Sequence, residues 1–69
     1  MSPEQKQLME FAIQDLVAEI VKRRDRTPED AMDCLYHSRF FALLTNPETG
    51  LYRESVEYLY QCFVESEQS

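Results

Sequence analysis

From Glu4 to Arg24 the chain runs without a glycine or a proline, and Pro3 and Pro28 lie just outside that run. A stretch of this length with no backbone punctuation can only sensibly be a long helix, and both ends carry the matching signals. Ser2 is placed to cap, Pro3 suits the first helical position, and Gln5 stands where a capping box wants Glu or Gln. Acidic Glu4 and Glu10 come early, while Lys22, Arg23 and Arg24 gather at the end, which suits the helix dipole at both poles. At helical spacing Leu8, Met9, Ala12, Ile13, Leu16, Val17, Ile20 and Val21 form an apolar face covering more than half the circumference. A surface helix packed on one neighbour needs less. Two arrangements account for the width: a central helix gripped by two others, or the same helix shared with a second copy in a homodimer. Phe11 speaks for the second, because it projects onto the polar side near Gln7, Gln14 and Lys22.

The rest of the chain must supply the helices that cover this face. Thr27-Pro28 ends the first helix and starts another, with Thr27 as cap and Glu29 and Asp30 in its first turn. Ala31, Met32, Leu35 and Tyr36 form its apolar side, with Cys34 at the border. Ser38 can cap a short third helix carrying Phe40, Phe41, Leu43 and Leu44, or the second helix can continue through it, since no strong breaker intervenes. Asn46-Pro47-Glu48-Thr49-Gly50 is a turn that redirects the chain, with the single glycine free to take positive φ. Ser55 can cap a last helix whose Tyr52, Val56, Leu59, Tyr60 and Phe63 share a face, while Tyr58 lies opposite. The expected architecture is an all-α compact bundle of three to four helices, over about 3–24, 28–37, 39–45 and 55–65, in one domain spanning 1–69. The tail Ser66-Glu67-Gln68-Ser69 is expected to fray.

Charge narrows the partners. Thirteen acidic residues against 7 basic ones give −6, which opposes nucleic-acid phosphates and anionic membrane surfaces, whose general affinity comes from Lys and Arg. No run reaches membrane-spanning length, and the start lacks the basic, apolar and small-residue sections of a signal peptide. The expectation is a cytoplasmic chain that binds protein, with no nucleic acid, no membrane and no cofactor. The basic cluster Lys22-Arg23-Arg24-Asp25-Arg26 is explained by its place at a helix end.

Chemistry is thin. Cys34 and His37 are three apart on a helix, and with Cys62 they make three ligands of a kind zinc accepts. A structural site takes four, and the chain holds three Cys and His altogether. The same Cys34–His37 pair could be nucleophile and base, but that chemistry needs a loop-built pocket and oxyanion site. The thiols read more simply as small apolar groups, and Asp33, four residues before His37, as its surface ion-pair partner. The aromatics Tyr36, Phe40, Phe41, Tyr52, Tyr58, Tyr60 and Phe63 crowd the second half. Most must build core, but tyrosines near an acidic turn also suit a protein-binding surface.

Ala31-Met32-Asp33-Cys34-Leu35-Tyr36-His37-Ser38, then Leu44-Thr45-Asn46-Pro47-Glu48-Thr49-Gly50-Leu51-Tyr52, Ser55 and Tyr58-Leu59-Tyr60, resemble a family of short uncharacterised helical proteins of gut-type bacteria. Its pattern is an Ala-Leu-Asp helix, a Tyr-x-Ser step, a Thr-Gly-Leu-Tyr turn and a Tyr-Val-Tyr helix ending in Glu. The resemblance covers about Ala31 to Glu65, and the turn is its most specific part. The chain departs from the pattern at Val56, where the family often has Pro, and at Leu59, where it has Val. Relatives are often encoded beside a toxin-like, ADP-ribosyltransferase-like protein, which implies an antitoxin-like or accessory subunit acting by contact.

The expected function is therefore a non-enzymatic protein–protein interaction module. Phe11, Leu51, Tyr52, Arg53 and Tyr58 are its expected contact residues, and a toxin-like protein encoded nearby is the expected partner. The alternative is a small metal- or redox-responsive protein using Cys34, His37 and Cys62.

Overall fold

The capping signals at Ser2 fix the start of the molecule. In the computed structural model, which describes residues 2–68, Ser2 Oγ accepts from the Gln5 N–H at 3.2 Å while the Gln5 side chain accepts from the Ser2 N–H at 3.1 Å. Helix α1 then runs Pro3–Arg24. It ends where Asp25 takes a left-handed conformation (φ 53°) and the Asp25 and Arg26 N–H groups both donate to the Val21 carbonyl. This closure is usually given to glycine, because a Cβ is strained there. Asp25→Gly is accordingly expected to stabilise the fold by about 0.5–1 kcal/mol, also removing an anion from a helix C-terminus. A thermal melt should rise by roughly 2–8 °C; a fall would mean that the Asp25 side chain holds the corner.

Thr27 Oγ1 accepts from the Asp30 N–H at 3.2 Å and opens α2, Pro28–Tyr36. The chain then breaks at His37 and Ser38. Ser38 Oγ accepts from the Phe41 N–H at 3.2 Å and donates to the Leu35 carbonyl at 2.7 Å, closing one helix and opening α3, Arg39–Leu44. The break between the second and third helices is thus set by a serine cap.

The expected turn is a pair of 3₁₀ turns, Pro47–Thr49 and Leu51–Arg53, hinged on Gly50 at φ 69°. Thr49 Oγ1 lies 2.8 Å from the carbonyls of both Leu43 and Asn46, tying the corner to the end of α3. Ser55 caps α4, Val56–Gln68, accepting from the Tyr58 N–H at 3.3 Å. This helix runs three residues past its expected end at 65. Arg24 explains the extension: its guanidinium forms a bidentate pair with Glu67, one arm at 3.1 Å, and Ser66 Oγ donates to the Phe63 carbonyl at 2.7 Å. Ser69, the last residue of the expected frayed tail, lies outside the described residues.

The fold is an all-α bundle, and the described residues contain no strand. Gln5 meets Tyr52 and Arg24 meets Glu67, so α4 lies beside α1 and runs in the same direction. α2 returns along another side of α1, and α3 closes against α4. Leu16, Ile20, Ala31, Leu35, Leu44 and Phe63 are completely buried at the centre, with Phe40 and Leu59 nearly so. Each Leu, Ile or Phe side chain among them contributes about 1.5–3 kcal/mol on burial. No polar or charged residue is buried among the described residues. The apolar face of α1 is covered along Met9, Ala12, Leu16, Val17 and Ile20, but Leu8 at its edge stays 48% exposed.

Candidate functional site

The expected contact residues fall into two groups. Phe11 (50% exposed) and Tyr58 (49%) stand out from α1 and α4, each on the face turned from the core, and Arg53 is exposed. Leu51 is half-buried and packs against the core. Tyr52 departs from the expectation: it is 6% exposed, its hydroxyl accepts from Gln5 Nε2 at 3.3 Å, and the Arg53 guanidinium lies 5.4 Å from its ring centre. A side chain so enclosed presents almost no area to a partner. Tyr52 is a core residue, and the turn that carries it is a packed corner at that point.

Gln5 does two jobs at this corner, since its amide oxygen completes the cap of α1 and its nitrogen reaches Tyr52. Sequence reading assigned the first and missed the second, because the two residues are far apart in the chain.

Two arginines of the basic cluster at the end of α1 reach α4. Arg24 donates to Tyr60 Oη at 3.2 Å as well as to Glu67, and its guanidinium lies 5.2 Å from the Phe63 ring centre. These partners raise the Arg24 pKa, the Glu67 hydrogen bond first and Tyr60 second. Arg23 pairs with Glu19 and sits 4.8 Å from the Tyr60 ring centre. Two of the cations of this cluster are therefore committed to the fold.

Cys34 and His37 line one open cleft with Ser38, Arg39, Ser66 and Glu67, where the end of α2 meets the end of α4. Both thiols are free and half-buried. Cys62 lies apart from that cleft beside Tyr58, and the interaction with its thiol leads the causes that raise the phenol pKa. His37 is a surface residue, with Nδ1 2.8 Å from the Asp33 carbonyl and 3.4 Å from its carboxylate. Among the described residues no three His, Cys, Asp or Glu side chains come together in a group that could hold a metal ion.

One apolar surface is not announced by the sequence. A furrow between α1 and α2 is lined by Gln14, Val17, Ala18, Val21, Pro28 and Met32. It continues along α2 past Glu29 and Asp33 to Tyr36, which is 57% exposed and packs edge-on against Phe41 at 4.6 Å between ring centres. Phe11, one turn before Gln14 on α1, is exposed beyond the end of this lining. Its position on the polar side was the one sequence signal pointing here. No helix among the described residues is long and apolar enough to cross a membrane. Comparison with protein-family models, with curated proteins and with solved structures finds no match to this chain.

Proposed function

We propose that this chain is a non-enzymatic, cytoplasmic protein–protein interaction module, an antitoxin-like or accessory subunit whose partner is a toxin-like protein encoded nearby. The observation that carries the reading is the apolar furrow between α1 and α2, with the half-exposed Phe11 one turn from its Gln14. Single exposed apolar side chains are ordinary on any surface, whereas a contiguous strip on rigid helices is what a docking site is built from. The acidic balance of the chain favours a protein over a polyanion, and the resemblance of Ala31–Glu65 to the gut-bacterial family supplies the kind of partner.

The test is the light-scattering mass of the chain, alone and co-expressed with the product of the neighbouring gene. A complex is expected. Phe11→Ser should weaken it by about tenfold, the loss of a contact worth about 1.4 kcal/mol, with helical content unchanged. Tyr58→Ala reports in the same way on the face of α4. A chain that stays alone beside its neighbour's product sinks the antitoxin-like reading. One equivalent of bound metal whose removal unfolds the chain would instead favour the metal-responsive reading through Cys34, His37 and Cys62.

A further inference from the structure

The furrow between α1 and α2 has a one-sided charge pattern. Apart from Glu29 and Asp33 on the α2 side, its lining carries no charged side chain. Among the described residues neither carboxylate pairs with a lysine or an arginine; Asp33 has only the exposed His37 beside it. The α1 side contributes the neutral Gln14 and Ala18, flanked one turn away by the opposite charges of Asp15 and Lys22. One edge of the furrow is thus acidic and the other is not.

The α1 side also has a defined spacing. Phe11, Gln14, Ala18 and Val21 succeed one another at intervals of three, four and three, the rhythm of a seam against which a second helix packs. At 1.5 Å per residue this strip is about 15 Å long, matching two to three turns of a partner helix. Ala18 at its middle is exposed and small, so a facing helix can come close.

We infer that the furrow seats an amphipathic helix of a protein partner, with its apolar face on Ala18, Val21 and Met32 and with Lys or Arg along the edge that meets Glu29 and Asp33. The inference rests on the protein-binding reading and narrows it to one surface and one partner chemistry. A second copy of this chain is a poorer occupant. A two-fold contact sets the same patch on itself, so it offers the Glu29–Asp33 edge of each chain at most the single Lys22 of the other, beside Asp15, between two chains of charge −6. Of the arginines near the end of α1, Arg23 and Arg24 are held by Glu19, Tyr60 and Glu67, and Arg26 lies past the helix end.

The experiment uses the full chain and two designed helical peptides that share one leucine–alanine face, one edged with lysine and the other with glutamate. The lysine-edged peptide should bind, with amide shifts centred on Val17, Ala18, Val21 and Met32. The glutamate-edged peptide should bind at least about tenfold more weakly. Ala18→Arg, a good helix former at an exposed site, should fill the furrow and abolish binding without loss of helix. Reversing Glu29→Lys with Asp33→Lys should exchange the preference to the glutamate-edged peptide, an outcome that misfolding cannot produce. Shifts centred elsewhere, equal binding of both peptides, or a free chain that is dimeric until Ala18→Arg makes it monomeric would each overturn the inference. In the co-expression assay, a complex that survives Ala18→Arg but not Tyr58→Ala removes the furrow and leaves the protein-binding reading intact. Absence of any complex removes that reading, while the peptide result stands on its own.

Discussion

Phe63→Ala is expected to leave the chain largely unfolded in neutral buffer. Phe63 is completely buried at the centre of α4, with the Tyr60 ring centre 6.4 Å away and the Arg24 guanidinium over its face. Truncating a phenylalanine in such a place costs about 3–5 kcal/mol, the lost transfer energy plus the cavity left behind. At roughly 0.05–0.15 kcal/mol per residue a chain of 69 residues is stabilised by only about 3–10 kcal/mol in total. One substitution therefore removes most of the margin, and it also withdraws the ring beneath the arginine that joins α1 to α4. Phe63→Leu, which keeps most of the volume, should cost about 1.5 kcal/mol or less and remain folded. Urea unfolding followed by far-ultraviolet circular dichroism measures both. A Phe63→Ala protein within about 0.5 kcal/mol of the parent would mean that this ring does not pack in the core, because surface substitutions are the ones that stay in that range.

The contrast between α1 and α4 shows which parts of this molecule can be read from its sequence. The start of α1, its end near Arg24 and the start of α2 are each fixed by residues within a few positions of one another, Ser2 with Gln5 and Thr27 with Asp30, so local chemistry specifies them. The end of α4 is fixed by Arg24, more than forty residues earlier, and no local signal announces it. Leu8 shows the same limit on burial. Its place on the apolar face of α1 follows from spacing, but which part of a wide face is covered depends on where α2, α4 and the Leu51–Arg53 turn come to lie. The candidate site follows suit. Phe11 and Tyr58 point outward as helical periodicity expects, because the direction of each is set within its own helix. Val17, Ala18, Pro28 and Met32 become a furrow only when two helices are set side by side. The sole local hint was an aromatic on the wrong side of α1.

Tyr52→Ala is expected to cost about 3 kcal/mol or more, close to a phenylalanine truncation, while Tyr52→Phe should cost about 1 kcal/mol at most. The difference separates the ring from the hydroxyl. The ring is 6% exposed and packs where the Leu51–Arg53 turn meets the start of α1. The hydroxyl makes one hydrogen bond, from Gln5 at 3.3 Å, near the long end of the range for a useful bond. Thermal or urea unfolding of the two variants should therefore place Tyr52→Phe near the parent and Tyr52→Ala far below it. Two variants equally close to the parent would mean that the corner is loosely packed and that Tyr52 is available to a partner. The result also decides how partner binding can be assayed. If the ring carries the corner, a complex lost with Tyr52→Ala reports a damaged fold, and only Tyr52→Phe tests contact at this position. Binding should then be unchanged by Tyr52→Phe and sensitive to Phe11→Ser. A complex broken by Tyr52→Phe in a chain that melts like the parent would assign the hydroxyl to the partner instead of to Gln5.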